Sequence, residues 1–158
     1  MIMSSKSLQS DINKALEHAE AICRAKSVRL TDIRRQIFIL ICQEKGFVKA
    51  YDLLDRIKDS DYSAKPPTVY RALDFLLEHR LIHKLNSVNA FVSCTHPTDK
   101  HQCYFLICSQ CHMIKECCDS SIEQMIQEIS SESQFQPQHT TIEIEGLCQN
   151  CSNKIRYM

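Results

Sequence analysis

Two C-x-x-C pairs, Cys108-Ser-Gln-Cys111 and Cys148-Gln-Asn-Cys151, flank the 36 residues 112–147 and set the strongest constraint on how this chain can fold. Within each pair a tight turn brings both sulfurs to one ion, and two pairs supply the four thiolates of a closed, tetrahedral structural zinc site. The second pair must then fold back onto the first, so the metal staples the end of the chain to its middle. A single pair would equally suit a redox dithiol or a disulfide; two at this spacing favour zinc.

At 158 residues the chain can form one large domain or two small ones around a real core. No apolar run reaches the length of a membrane span, and the start MIMSSKSLQSDINK lacks the apolar stretch of a secretory signal. Ten cysteines without an export signal imply a reducing compartment where thiols stay available for metal, and hence a cytoplasmic protein. The formal net charge of zero hides an asymmetry: residues 1–91 carry 15 Lys+Arg against 11 Asp+Glu, and residues 92–158 carry 4 against 8. A basic first half suits a polyanion, and an acidic, Cys/His-rich second half suits metal.

Apolar spacing predicts a helix over 7–26 through Leu8, Ile12, Ala15, Leu16, Ala19 and Ile22. A second helix is expected from an N-cap at Thr31 to about Lys45, ended by Gly46, and a third over Ala50–Lys58. Pro66-Pro67 suits the entry to a fourth, about Thr68–Arg80, which buries Val69, Leu73, Leu76 and Leu77. Two short strands, roughly 81–86 and 89–94, follow with a turn near Ser87. Helices closed by a β-hairpin describe a winged helix. Beyond residues 95–102, read as a linker, strands are expected at 103–107, 113–117 and 140–145, with a helix over 120–131. The fold class is therefore α+β: a winged-helix DNA-binding domain over 1–94, a hinge over 95–102, and an α/β dimerisation and metal-binding domain over 103–158.

The fourth helix, PPTVYRALDFLLEH, is the expected recognition element. With its leucines facing the core, Thr68 and Arg71 share a neighbouring face at the helix start, where recognition helices meet base edges. Arg71 can donate two hydrogen bonds to a guanine edge. Thr68 and Tyr70 can reach phosphate or sugar, and Lys65 adds a phosphate contact. Tyr51 either touches the backbone or lies partly in the core.

The words AYDLL, KPPTVYRALDFLLEHRLIHKL, CSQCHMIKEC and GLCQNC resemble the ferric uptake regulator superfamily and, within it, the zinc uptake regulators. The resemblance covers nearly the whole chain. It implies an N-terminal winged helix on an operator in double-stranded DNA, a C-terminal domain that forms a homodimer, and zinc as co-repressor of zinc-uptake genes. It further implies two zinc ions per subunit, the structural one and a regulatory one at the hinge. The positions that match the regulatory ligands are His83, Cys94, His101 and Glu116, a mixture of thiolate, imidazole and carboxylate suited to four-coordinate zinc. His96 follows Cys94 closely, but counting back seven residues from Cys108 selects His101. Iron-sensing relatives carry a His-His-Asp-His run that THPTDKHQCYFLIC lacks; a relative sensing iron, manganese or peroxide is the alternative. Cys103, Cys117 and Cys118 have no assigned role, and strand alternation cannot aim all three at one ion. No enzyme, small-molecule substrate or membrane partner is expected: four protein ligands close the zinc site, and no H-E-x-x-H is present.

Overall fold

Val48, in the loop after the second helix, exchanges backbone hydrogen bonds of 3.0 and 2.8 Å with Phe91 in the hairpin. This bridge ties the helices to the wing and explains a departure from expectation. The computed structural model describes residues 5–58, 65–95, 103–138 and 140–156. It divides into two compact units, Met1–Thr98 and Asp99–Met158.

The first unit contains α1 (Ser5–Ala25), α2 (Asp32–Gln43), α3 (Ala50–Lys58), α4 (Pro66–Glu78), β1 (Ile82–Leu85) and β2 (Ala90–Ser93). Helical periodicity did its work here. Ile12, Ala19 and Cys23 of α1, Ile37, Phe38 and Ile41 of α2, Leu53, Leu54 and Ile57 of α3, and Val69, Leu73 and Leu76 of α4 are all buried. Two boundaries move. Helix α2 stops at Gln43, before Gly46, because the chain must extend at Glu44 to carry Val48 to its bridge. Thr31 holds the N-cap position in extended backbone without a side-chain cap bond. Helix α4 starts at Pro66 rather than Thr68, since both prolines fit a first turn whose N–H groups have no helical acceptor. At its far end His79, 8% exposed, packs edge-on to Phe75 with ring centroids 4.3 Å apart. It is a core histidine. Strands β1 and β2 pair antiparallel, Ile82 opposite Ser93 and Leu85 opposite Ala90, and Asn89 takes the left-handed conformation that closes their turn.

The second unit contains β3 (Cys103–Cys108), β4 (Ile114–Cys118), α5 (Ser120–Glu132), β5 (Ile142–Gly146) and α6 (Gln149–Arg156). Its sheet has the order β4-β3-β5, with β4 antiparallel and β5 parallel to the central strand. Asp119 caps α5, accepting hydrogen bonds from the Ser121 N–H and hydroxyl at 2.9 and 2.7 Å. Helix α6 was not expected from sequence; it is short, and its only buried side chain among those described is Cys151. The core of this unit is thin. Among the described residues its buried apolar ones are Cys103, Phe105, Ile107, Cys108 and Cys151, and α5 buries none. Six large apolar side chains, Met113, Met125, Ile129, Phe135, Ile144 and Leu147, remain 40–66% exposed.

Candidate metal centres

Strand β3 ends on Cys108, and the turn that follows returns on itself: the Cys108 N–H donates to the Met113 carbonyl, and the His112 N–H to the Cys108 carbonyl, both at 2.9 Å. His112 takes a left-handed φ of 57° to do so and is exposed. The end of β5 is tied to this turn by the Ser109 N–H and hydroxyl, which donate to the Gly146 carbonyl at 2.9 and 3.2 Å. Two residues later the Cys148 N–H donates to the Cys108 sulfur at 3.3 Å, and Cys151 follows on the first turn of α6. Parallel pairing of β5 on β3 is thus what delivers the second C-x-x-C to the first.

The four sulfurs of Cys108, Cys111, Cys148 and Cys151 all lie within 4.8 Å of one another. Cys111 and Cys148 are 3.7 Å apart. Zinc–sulfur bonds of about 2.3 Å in a tetrahedron require an edge of about 3.8 Å, so the set fits zinc. Its electrostatics fit too. The N–H groups of Cys148 and then Cys111 hold the Cys108 thiol down to about 6. Cys151 is pushed up to about 12 by its hydrogen bond with Cys148, then by burial and the remaining sulfurs. One thiolate is welcome here and further ones repel, a cost that a central dication cancels.

The residues expected to hold a regulatory ion are presented by both units. In the wing, His83 on β1 and Cys94 just after β2 are diagonal neighbours on one face of the antiparallel pair, because Cys94 sits opposite Leu81 and donates its N–H to the Leu81 carbonyl at 3.0 Å. A ring nitrogen of His83 and the Cys94 sulfur lie within 4.8 Å. In the second unit, Glu116 on β4 lies opposite Phe105, its carboxylate within 4.8 Å of the sulfurs of Cys103 and Cys118. His101, like His96, lies outside the described residues.

The Cys103–Cys118 pair went unassigned in sequence. The two residues are partners across β3 and β4, with sulfurs 2.8 Å apart. Burial, then contact with Cys118 and Glu116, pushes the Cys103 thiol well above its ordinary range. Cys117 belongs to the opposite face, beside Tyr104. The signal lay in the hairpin register, which no count of cysteines reveals. Cys23 is a core residue at 3% exposure, and burial pushes half-buried Cys42 up to about 12.

Lys65, Thr68, Tyr70 and Arg71 at the start of α4, and Tyr51 in the first turn of α3, are all exposed. Tyr51 is 74% exposed, which removes the core reading of it.

Residues 25–145 match the model of the ferric uptake regulator family. The zinc uptake regulation protein of Escherichia coli (strain K12) is 41% identical over 138 residues, covering 86% of this chain and 80% of that protein. A solved zinc uptake regulator complexed with zinc and DNA is similar with a TM-score of 0.87 at 38% identity, over 92% of this chain and 97% of the other. Holo XcZur follows with 0.82 at 42% identity, over 89% and 99%.

Proposed function

Since the chain belongs to the ferric uptake regulator family, we propose that it is a zinc-responsive transcriptional repressor that binds operator DNA as a homodimer and controls zinc uptake. One observation carries the coupling: the wing of a DNA-binding fold itself places two metal donors, His83 and Cys94, within 4.8 Å of each other. Metal occupancy and the posture of a DNA-reading element then share residues. The Escherichia coli relative at 41% identity is a zinc uptake regulation protein, and a similar solved zinc uptake regulator is complexed with zinc and DNA, which supports the same reading. The thiolate of Cys94 favours zinc over a hard-ligand iron or manganese site.

In this reading each subunit holds two zinc ions. Cys108, Cys111, Cys148 and Cys151 hold the structural one. His83, Cys94, His101 and Glu116 hold the regulatory one, which supplies a restraint between residues before and after the linker 95–102. The domain over 1–94 reads DNA and that over 103–158 dimerises. The exposed Met125, Ile129, Phe135 and Ile144 of the second unit support dimerisation, because large apolar side chains left in water on a thin-cored unit suit an interface. Two recognition helices must meet major-groove faces about 34–36 Å apart to read a palindrome. A chain with a loose linker samples many spacings, and a restraint raises the share of the competent one. Coupling of this kind is reciprocal, so operator DNA must tighten the regulatory site. Tyr51, Lys65, Thr68, Tyr70 and Arg71 contact the DNA. The protein acts in the cytoplasm and is a regulator rather than an enzyme: four protein ligands at the regulatory ion leave no coordination position for substrate. No described helix is long and apolar enough to cross a membrane.

Titration of operator binding against zinc, iron and manganese tests the function. Zinc-selective binding with two ions per subunit is expected; a response selective for iron or manganese overturns it. Arg71→Ala should weaken operator binding by about 1–3 kcal/mol and relax preference at one base position. Equal weakening on every sequence would make Arg71 a phosphate contact instead.

A further inference from the structure

Cys103 opens β3 and Cys118 closes β4, so the two face each other at the end of the hairpin remote from its turn. Directly paired residues of an antiparallel ladder have Cα atoms about 4.5–5.5 Å apart, inside the roughly 4.4–6.8 Å range of disulfides. The sulfurs are already 2.8 Å apart. That separation is about 1 Å shorter than the edge of a tetrahedral zinc–thiolate site, so the pair is too close to serve one ion as it stands. Strand alternation turns Cys117 to the other face, and Cys108 lies five residues along β3, about 17 Å away. Each of the two sulfurs therefore has the other as its nearest thiol partner.

We propose that Cys103 and Cys118 are a modification site: a reversible intrachain disulfide, formed by peroxide and undone by small thiols, that gives the metal-binding unit an oxidant as a second chemical input. The two thiols differ in access. Cys118 is exposed and Cys103 is 7% exposed, which makes Cys118 the attacking sulfur and Cys103 the resolving one. The Cys118 thiolate attacks the O–O bond of hydrogen peroxide, giving a sulfenic acid and releasing hydroxide, which takes up the proton the thiol lost. The Cys103 sulfur then attacks the sulfenic sulfur, forms the S–S bond and displaces the second oxygen as water. Two thiols and one peroxide become one disulfide and two waters; the sulfurs give up two electrons to the peroxide oxygens. Thiol–disulfide exchange restores the dithiol.

The distance from Cys108 and Cys111 has a chemical consequence. Oxidation at the open end of the hairpin leaves the four-cysteine site, whose thiolates a zinc ion would protect, untouched.

The full chain as purified is exposed to stoichiometric hydrogen peroxide, alkylated, and digested without reductant. The expected result is a linked peptide pair joining Cys103 to Cys118, lower in mass by two hydrogens than the separate peptides and separated by dithiothreitol, with zinc content unchanged. In Cys103→Ser, Cys118 should instead accumulate as the sulfenic acid, trapped by dimedone. Disulfides among Cys108, Cys111, Cys148 and Cys151 with both Cys103 and Cys118 still alkylated would overturn the proposal. So would a further zinc equivalent that the untreated chain holds and Cys118→Ser loses, because the pair would then be a ligand set. The peptide map of the unsubstituted chain decides the matter even where a variant folds poorly.

Discussion

Cys108→Ser is expected to empty the four-cysteine site and to abolish the folded second unit at ordinary temperature. The reason is how little else holds that unit together. Among the described residues its buried apolar ones are Cys103, Phe105, Ile107, Cys108 and Cys151, two of which are themselves site cysteines. Helix α5 buries no residue and α6 contributes Cys151 alone among its described side chains. Small domains with cores of this size commonly depend on a metal, and four-ligand zinc domains are unfolded without it because binding energy is folding energy. Cys108 is also the sulfur that receives the Cys148 N–H, so its replacement loosens the seam between β3 and the second C-x-x-C as well as removing a ligand. Zinc content, thermal unfolding and sedimentation would be measured together. A substituted protein that kept its melting curve, its metal and its dimer would sink the structural role. The first unit should keep its helical signal, since its core of packed α1–α4 residues draws nothing from the site.

The second large effect is expected at Cys94, and its signature is the opposite: structure kept, response lost. Cys94 is 7% exposed but lies outside the apolar cluster that holds α1–α4 together. Serine matches its size and continues to offer the N–H that bonds to Leu81. Folding should therefore change little. Metal response should collapse, because serine gives zinc a poor ligand where a thiolate stood beside His83. Loss of residues that merely orient metal ligands costs about 10–100-fold in metal affinity, so loss of a ligand should cost at least about 100-fold. Zinc per subunit should fall from two to one, and operator binding should become weak at every zinc concentration. Retained zinc-responsive binding by Cys94→Ser would rule out the regulatory assignment. The two expected outcomes would thus separate a site that holds the second unit together from one that senses zinc.

Helix positions were legible because burial repeats with the helical period. Ile37, Ile41, Leu53, Leu73 and Leu76 are where the apolar spacing put them. Boundaries were less legible where a distant residue decides them. The bridge from Val48 to Phe91 ends α2, and no local signal near Gln43 announces it. The exposed residues at the start of α4 were legible as its polar side, with the exposure of Tyr51 added by the structure. The proposed regulatory set of His83, Cys94, His101 and Glu116 came only through resemblance, residue by residue, because the four share no spacing rule.

By itself the sequence pointed to a metal site built from two C-x-x-C pairs. That motif is local: two residues between the cysteines leave the backbone little choice but a turn that puts both sulfurs on one side. It could not determine which strand would carry the second pair home. The tertiary structure decided that through β5, which lies parallel to β3 and brings Gly146 opposite Cys108 from 38 residues away. It decided equally that Cys103 should meet Cys118 and not Cys117. Register is a property of two strands at once, and one residue of slip would turn a different sulfur to each face. Spacing along the chain sets what a turn can do; pairing between strands sets which thiols become neighbours.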